Sequence, residues 1–230
     1  MDDCCSCFTG LRQVLGGGDA KALANGPKVF LMRHGQSQAN VDPRPTMEHD
    51  PDPLLSPEGV HQASMWADEI GQFGIEKVYV SPLRRTTQTA LHAFSRTKVP
   101  LEFLRCAREI PWFGADGWPE NQIASSPDSM YSLLASLPRG NSLHPVHEAL
   151  TEADDESTED ACIRKLLRTL RGSPCSSVGV VTHGLTMMRL TDQDHVSHNV
   201  TLLECDWRAD GKLYVVKHHR PYDEQRQQQL

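Results

Sequence analysis

Lys28-Val29-Phe30-Leu31-Met32-Arg33-His34-Gly35 is the stretch that decides the fold: an apolar run that ends in Arg-His-Gly. A second stretch repeats the plan, with Ser177-Val178-Gly179-Val180-Val181-Thr182 running into His183-Gly184. Short apolar runs rich in β-branched residues read as strands. In an open α/β sheet, ligands bind beyond the carboxyl ends of the strands. With both runs as parallel strands of one sheet, both imidazoles face one crevice. Two histidines and an arginine there suggest phosphate chemistry.

Working outward, helices and strands alternate. Ser56-Pro57 starts a helix, with Ser56 as N-cap and Pro57 at the first helical position. Val60, Ala63, Trp66, Ala67 and Ile70 fall at helical spacing, and Gly71 and Gly74 mark the end. Lys77 to Ser81 reads as a second strand, Leu83 to Phe94 as a helix and Leu101 to Leu104 as a third strand. Pro111 to Asn141 is loop-like, with a short helix at Met130 to Leu137; loops of this length tend to be lids or binding loops. The acidic run Glu152 to Asp160 complements the dipole of the helix it precedes, which puts Cys162, Ile163, Leu166, Leu167 and Leu170 on one stripe and stops at Gly172. After the fourth strand, Ser177 to Thr182, a helix begins at Gly184. Val200 to Trp207 and Leu213 to His218 make a hairpin. The expected fold is a doubly wound, mostly parallel α/β sheet with helices on both faces and an antiparallel C-terminal edge hairpin. Residues 1–26 read as a flexible tail, 27–220 as one catalytic domain and 221–230 as a polar tail.

The bulk numbers bound the function. A chain of 230 residues suits one domain with tails. A net charge of −7 argues against nucleic acid as a partner. No apolar stretch approaches the ~18 residues of a membrane helix, and Met1-Asp2-Asp3-Cys4-Cys5 lacks the basic and apolar regions of a secretory signal. A soluble cytoplasmic protein is expected, with no membrane partner. The seven cysteines are odd in number and dispersed, as suits reduced thiols. Cys4 and Cys7 have C-x-x-C spacing without a second pair, and acylation of Cys4, Cys5 or Cys7 lacks basic neighbours.

Guanidinium groups bind phosphoryl oxygens bidentately. Arg33 adjoins His34, Arg84 and Arg85 follow the second strand, and His183 ends the fourth. Gly35 and Gly184 let backbone approach a ligand closely. A neutral imidazole can attack phosphorus and form a covalent intermediate. The arginines would repel a metal cation, so no metal site is expected at His34 and His183. His144 and His147, and His195 and His198, have H-x-x-H spacing but no third ligand, and read as surface histidines. Trp112, Phe113, Trp118 and Tyr131 suit either a lid or loop anchors, and Glu120 is a second acidic candidate.

The ordered set Arg33-His34-Gly35-Gln36-Ser37-Gln38-Ala39-Asn40, Asp52-Pro53-Leu54-Leu55-Ser56-Pro57-Glu58-Gly59, Ser81-Pro82-Leu83-Arg84-Arg85-Thr86, Arg108-Glu109 and Thr182-His183-Gly184 resembles the histidine phosphatase superfamily, in its phosphoglycerate mutase-like branch. The resemblance spans about residues 27 to 220. It implies that His34 becomes phosphohistidine, that Arg33, Asn40, Arg85 and His183 bind the phosphoryl group, and that Glu109 protonates the leaving oxygen and then deprotonates water. The other reading of Glu109 is an ion pair with Arg105 or Arg108. The implied activity is cofactor-independent hydrolysis of a phosphomonoester, whether a small phosphorylated metabolite or a phosphoprotein. Phosphoglycerate mutase-type transfer and a non-catalytic phospho-ligand scaffold are the alternatives. Dedicated mutases carry insertions between these motifs that this chain does not obviously supply. The connection between Gly184 and Val200 is shorter than in most relatives, which leaves either an open pocket wall beyond His183 or an altered pairing near Asn199. The sequence leaves leaving group and oligomeric state open.

Overall fold

The two runs that end in His-Gly lie side by side. In a computed structural model that describes residues 26–42, 50, 52–110, 127–140, 143–144, 150 and 159–221, β1 (Lys28–Arg33) pairs in parallel with β5 (Ser177–Thr182), and Arg33 is level with Thr182. β2 (Lys77–Val80) runs parallel to β5 on its other side. β3 (Leu101–Phe103) and β4 (Leu143–His144) extend the parallel part outward. On the opposite edge β6 (Leu202–Trp207) and β7 (Leu213–His219) form an antiparallel hairpin, with β6 antiparallel to β1. The order of the seven strands is β4-β3-β2-β5-β1-β6-β7. This is the mostly parallel α/β sheet with an antiparallel C-terminal edge expected from the sequence. β4 adds a strand that the sequence did not announce, because two residues carry no periodicity.

Alternation along β1 assigns its side chains to two cores. Phe30 and Met32 join a cluster with Trp66, Leu91, Phe94 and Met130. Val29 and Leu31 join one with Leu166, Leu170, Met187 and Leu203. A single turn, α1 (Gln38–Val41), follows β1. The first cluster is covered by α2 (Pro57–Met65), α3 (Arg84–Ala93) and α4 (Pro127–Ala135), and the second by α5 (Glu159–Arg171) and α6 (Gly184–Thr191). With both faces covered, every residue of β5 is buried. That is why its sequence is a continuous apolar run instead of an alternating one. The stripe on α5 faces inward as expected, with Leu167 at its margin. Among the described residues no helix is long and apolar enough to cross a membrane.

The start of α2 follows the sequence signal. Ser56 Oγ accepts from Gly59 N at 3.0 Å and donates to Gln36 Oε1 at 2.8 Å, with Pro57 at the first helical position. Ser56→Ala is expected to cost about 1–2 kcal/mol, the upper range for a lost N-cap, because the same hydroxyl also ties the loop after His34. Urea denaturation reads this as a lower midpoint at unchanged slope. The end of the helix differs from expectation. The α-helix stops at Met65, and the chain tightens into 3₁₀ turns at Trp66–Asp68 and Ile70–Phe73 before leaving through Gly74 at φ 60°. Trp66 is the reason: fully buried, its Nε1 donates to Val200 O at 2.8 Å, so that the chain is anchored where the helix would have continued.

Candidate active site

Strand register sets the site. Because Arg33 is level with Thr182, the next residues, His34 and His183, leave the sheet as neighbours, and His34 N donates to Thr182 O at 3.0 Å. Their rings lie 5.2 Å apart between centroids, tilted by 59°. Both are buried, His34 to 4 % exposure and His183 to 0 %. Burial, first, and then the charges of Arg85 and Arg33 push both pKa values well below the usual histidine range. Both rings are therefore neutral near pH 7, and each carries one proton on one nitrogen.

For His34 the position of that proton follows from its partner. Nδ1 lies 2.7 Å from Gly35 O. A carbonyl only accepts, so Nδ1 carries the hydrogen and Nε2 carries the lone pair. The loop beyond is held without side-chain bulk. A Cβ on Gly35 would sit 2.5 Å from Gly59 O, and one on Gly59 would sit 2.0 Å from Gln36 O. Gly35 N donates to Thr89 Oγ1 at 3.0 Å, and Thr89 Oγ1 donates to Arg85 O at 2.7 Å, which ties the His34 loop to the first turns of α3.

The arginines differ in exposure and in partners. Arg85 is 4 % exposed, with its Nη1 3.9 Å from Asp52 Oδ1. Arg84 shares Asp52 and is also held by Asp50: its Nη2 donates to Asp50 at 2.5 Å and its Nε to Asp52 O at 2.5 Å. The resemblance points to Arg85 rather than Arg84, and the two differ in that Arg85 is buried and Arg84 is tied to Asp50. Asp52, fully buried, accepts from Arg84 N at 2.9 Å and so caps α3 from outside, where the N-cap residue Leu83 has no side chain able to do so. Arg33 Nη1 donates to Ser197 O at 2.7 Å, while its buried Nε has no hydrogen-bond partner among the described residues. Asn40 is exposed. Its Oδ1 accepts from Ser37 N at 3.1 Å and Asn199 Nδ2 at 3.4 Å, which fixes the amide and leaves its NH₂ group unengaged among the described residues.

Glu109 meets this cluster from the segment after β3. Its Oε1 accepts from Ile110 N and Thr186 N, each at 3.2 Å, with Thr186 Oγ1 at the same distance, so the carboxylate caps the start of α6. Thr182 Oγ1 and Thr186 Oγ1 hold the same segment through Ala107 O and Arg108 O. Burial raises the Glu109 pKa; Arg85 and the Thr186 and Ile110 bonds pull against it without reversing the direction. The contacts made by Glu109 are thus with α6 and its own chain, not the ion pair with Arg105 or Arg108.

The short connection after α6 closes over the cluster. Val196 Cγ1 lies where a Cβ on Gly184 would come within 2.4 Å. Asn199 Nδ2 donates to His34 O at 2.8 Å, and Val200 N donates to Arg33 O at 3.1 Å. Val200 takes φ 50°, a left-handed conformation that a β-branched residue rarely adopts.

Asp52, Thr89, Thr186 and Asn199 are positions whose contacts sequence reasoning did not assign. Their partners lie up to 165 residues away, and no spacing rule reaches that far. Trp112, Phe113, Trp118, Glu120 and His147, the side chain of His144, the cysteines 4, 5 and 7, and most of the acidic run lie outside the described residues. Tyr131 is on α4 and 47 % exposed. His195 pairs with Asp194 at 2.8 Å. No group of three or more metal-ligating side chains occurs among the described residues.

A family model described as "Histidine phosphatase superfamily (branch 1)" matches residues 29–212. No curated protein matches the chain. Among solved structures, it is similar to a mutant phosphoserine phosphatase from Entamoeba histolytica in complex with phosphoserine, at 20 % identity and a TM-score of 0.52, over 84 % of this chain and 96 % of that one. It is similar to a mycobacterial glucosyl-3-phosphoglycerate phosphatase at 18 % identity and 0.53, over 83 % and 98 %. It is similar to a phosphoglycerate mutase from Bacillus anthracis at 18 % identity and 0.53, over 83 % and 92 %. At these identities the likeness is one of fold.

Proposed function

The chain belongs to the histidine phosphatase superfamily, and from that premise we propose that it hydrolyses phosphomonoesters through a phosphohistidine at His34. The observation that carries the reading is the 2.7 Å contact of His34 Nδ1 with Gly35 O, which leaves an imidazole lone pair beside Arg33, Arg85 and His183. In the first step Nε2 forms the N–P bond, the P–O bond to the leaving group breaks, and Glu109 gives its proton to the leaving oxygen. In the second, water attacks phosphorus, the P–N bond breaks, and the water proton returns to Glu109. Arg33, Arg85, Asn40 and His183 bind the transferring group and offset the charge on its oxygens. The two backbone N–H donors on Glu109 Oε1, from Ile110 and Thr186, favour Oε2 as the oxygen that carries the acidic proton.

Two considerations favour this reading over its alternatives. The motifs follow one another without the insertions of dedicated mutases, which favours water as the acceptor. A short connection after Gly184 would suit a binding scaffold that has lost catalysis, but this one still supplies Ser197 O to Arg33 and Asn199 Nδ2 to the His34 carbonyl. The natural substrate is a small phosphorylated metabolite or a phosphoprotein, and a substrate panel run beside the His34 variant identifies it.

Glu109→Gln tests the acid. It is expected to lower kcat/KM for alkyl phosphates, which reads the transfer to His34 and not the later attack of water, about 100-fold, at the low end for a lost general acid. p-Nitrophenyl phosphate, whose leaving group needs no proton, is expected to slow only a few-fold. Equal slowing of the two would remove Glu109 from the role.

A further inference from the structure

His183 presents a question that His34 does not. Its Nε2 lies 2.8 Å from Ser81 Oγ, and a hydroxyl both donates and accepts. The surroundings of Ser81 decide which. Ser81 is fully buried at the end of β2, and Leu83 N already points at its Oγ from 3.4 Å. If His183 Nε2 also carried a hydrogen, Oγ would face two N–H donors, and its own hydrogen would have no acceptor among the described residues. Buried hydroxyls without an acceptor are costly and rare. The arrangement that satisfies all three groups has Leu83 N donating to Oγ and Oγ donating to Nε2. The single ring hydrogen of His183 then sits on Nδ1, a buried atom with no partner among the described residues.

We infer that Ser81 is a positioning residue: its hydroxyl holds His183 in the Nδ1–H tautomer, so that His183 offers a hydrogen rather than a lone pair to a phosphoryl oxygen. The inference rests on the phosphatase reading for its ligand. A lone pair on Nδ1 would repel that oxygen, and Arg33 and Arg85 mark the neighbourhood as anion-binding. Both histidines would then carry their hydrogen on Nδ1, yet with opposite consequences. His34 spends its hydrogen on the Gly35 carbonyl and presents its lone pair. His183 spends its lone pair on Ser81 and presents its hydrogen.

The test is imidazole 15N NMR on the full-length protein without substrate, with His183 assigned by difference from His183→Asn. In the wild type the expected pattern is pyrrole-type for His183 Nδ1 and pyridine-type for Nε2. Ser81→Ala is expected to lose that pattern. It should also lower kcat/KM on p-nitrophenyl phosphate roughly 10- to 100-fold, less than removal of the donor itself, and weaken inhibition by inorganic phosphate. Ser81→Thr, which keeps the hydroxyl, is expected to restore all three. A pyrrole-type Nε2 in the wild type, or a His183 tautomer unchanged in Ser81→Ala, overturns the inference. Should Ser81→Ala not fold, Ser81→Cys, with its weaker donor, takes its place in both measurements. The spectrum needs no turnover. The stated tautomers in a protein that hydrolyses no phosphomonoester would therefore count against the phosphatase reading and leave the tautomer assignment standing.

Discussion

His34→Ala is expected to lower turnover by at least about 10⁴-fold, the scale seen when a nucleophile is removed from a covalent mechanism. It should also abolish the acid-labile phosphate trapped when the wild type is quenched during turnover. A methyl group offers no lone pair to phosphorus, and no other described side chain can substitute. His183 Nε2 is occupied by Ser81, and both arginines are permanently protonated. Binding should survive far better than chemistry, because Arg33, Arg85 and His183 remain. Inorganic phosphate is expected to bind the variant within about tenfold of the wild type, since what is lost acts on bond making rather than on ground-state binding. Wild-type-like turnover, or labelling that persists in the variant, would sink the phosphohistidine mechanism.

Arg85→Ala carries the second largest effect, a loss of about 10²–10³-fold in kcat/KM, as for removal of a charged group that stabilises developing charge. A second consequence separates charge loss from simple disruption. Arg85 lowers the pKa values of His34, His183 and Glu109. Its removal therefore raises all three. At the acidic end, more of His34 is protonated and unable to attack, so activity is lost at a higher pH than in the wild type. At the alkaline end, Glu109 keeps its proton longer. The whole pH profile of kcat/KM is expected to move upward. Arg85→Lys restores the charge but not the planar fork, and should return the profile towards its original position while recovering activity only in part. An unshifted profile in Arg85→Ala would separate Arg85 from the electrostatics of the site.

The sheet edge that carries the candidate site was legible because its signals are local. An apolar run followed by Arg-His-Gly names both a strand and the residues at its end, and Ser56-Pro57 names a helix start from two residues. The resemblance singled out Arg85 over Arg84, and the two differ physically: Asp50 engages Arg84, while Arg85 is buried. What escaped was everything decided by a partner distant in sequence. The end of α2 at Met65 depends on Trp66 finding Val200 O, 134 residues away. The support of Glu109 depends on Thr186, and no pattern around Glu109 points there. The short connection after Gly184 read as a deficit because its length was visible and its hydrogen bonds were not. Ser81 stood in plain view inside a motif, but its part depends on which atom of a buried pair holds a hydrogen, and only the full set of neighbours decides that.

Val200 has a cost for the molecule as a whole. Holding a valine at φ 50° stores on the order of 1–3 kcal/mol, a sizeable share of the ~5–15 kcal/mol that separates a domain of this kind from its unfolded chain. The tension is borne by Val200 N, which donates to the Arg33 and His34 carbonyls, and by Trp66 Nε1, which donates to the Val200 carbonyl. Thermal robustness and catalytic geometry therefore compete for one residue. Loss of the Trp66 bond would free the Val200 carbonyl and let the connection relax toward an ordinary φ, drawing Asn199 away from the His34 carbonyl.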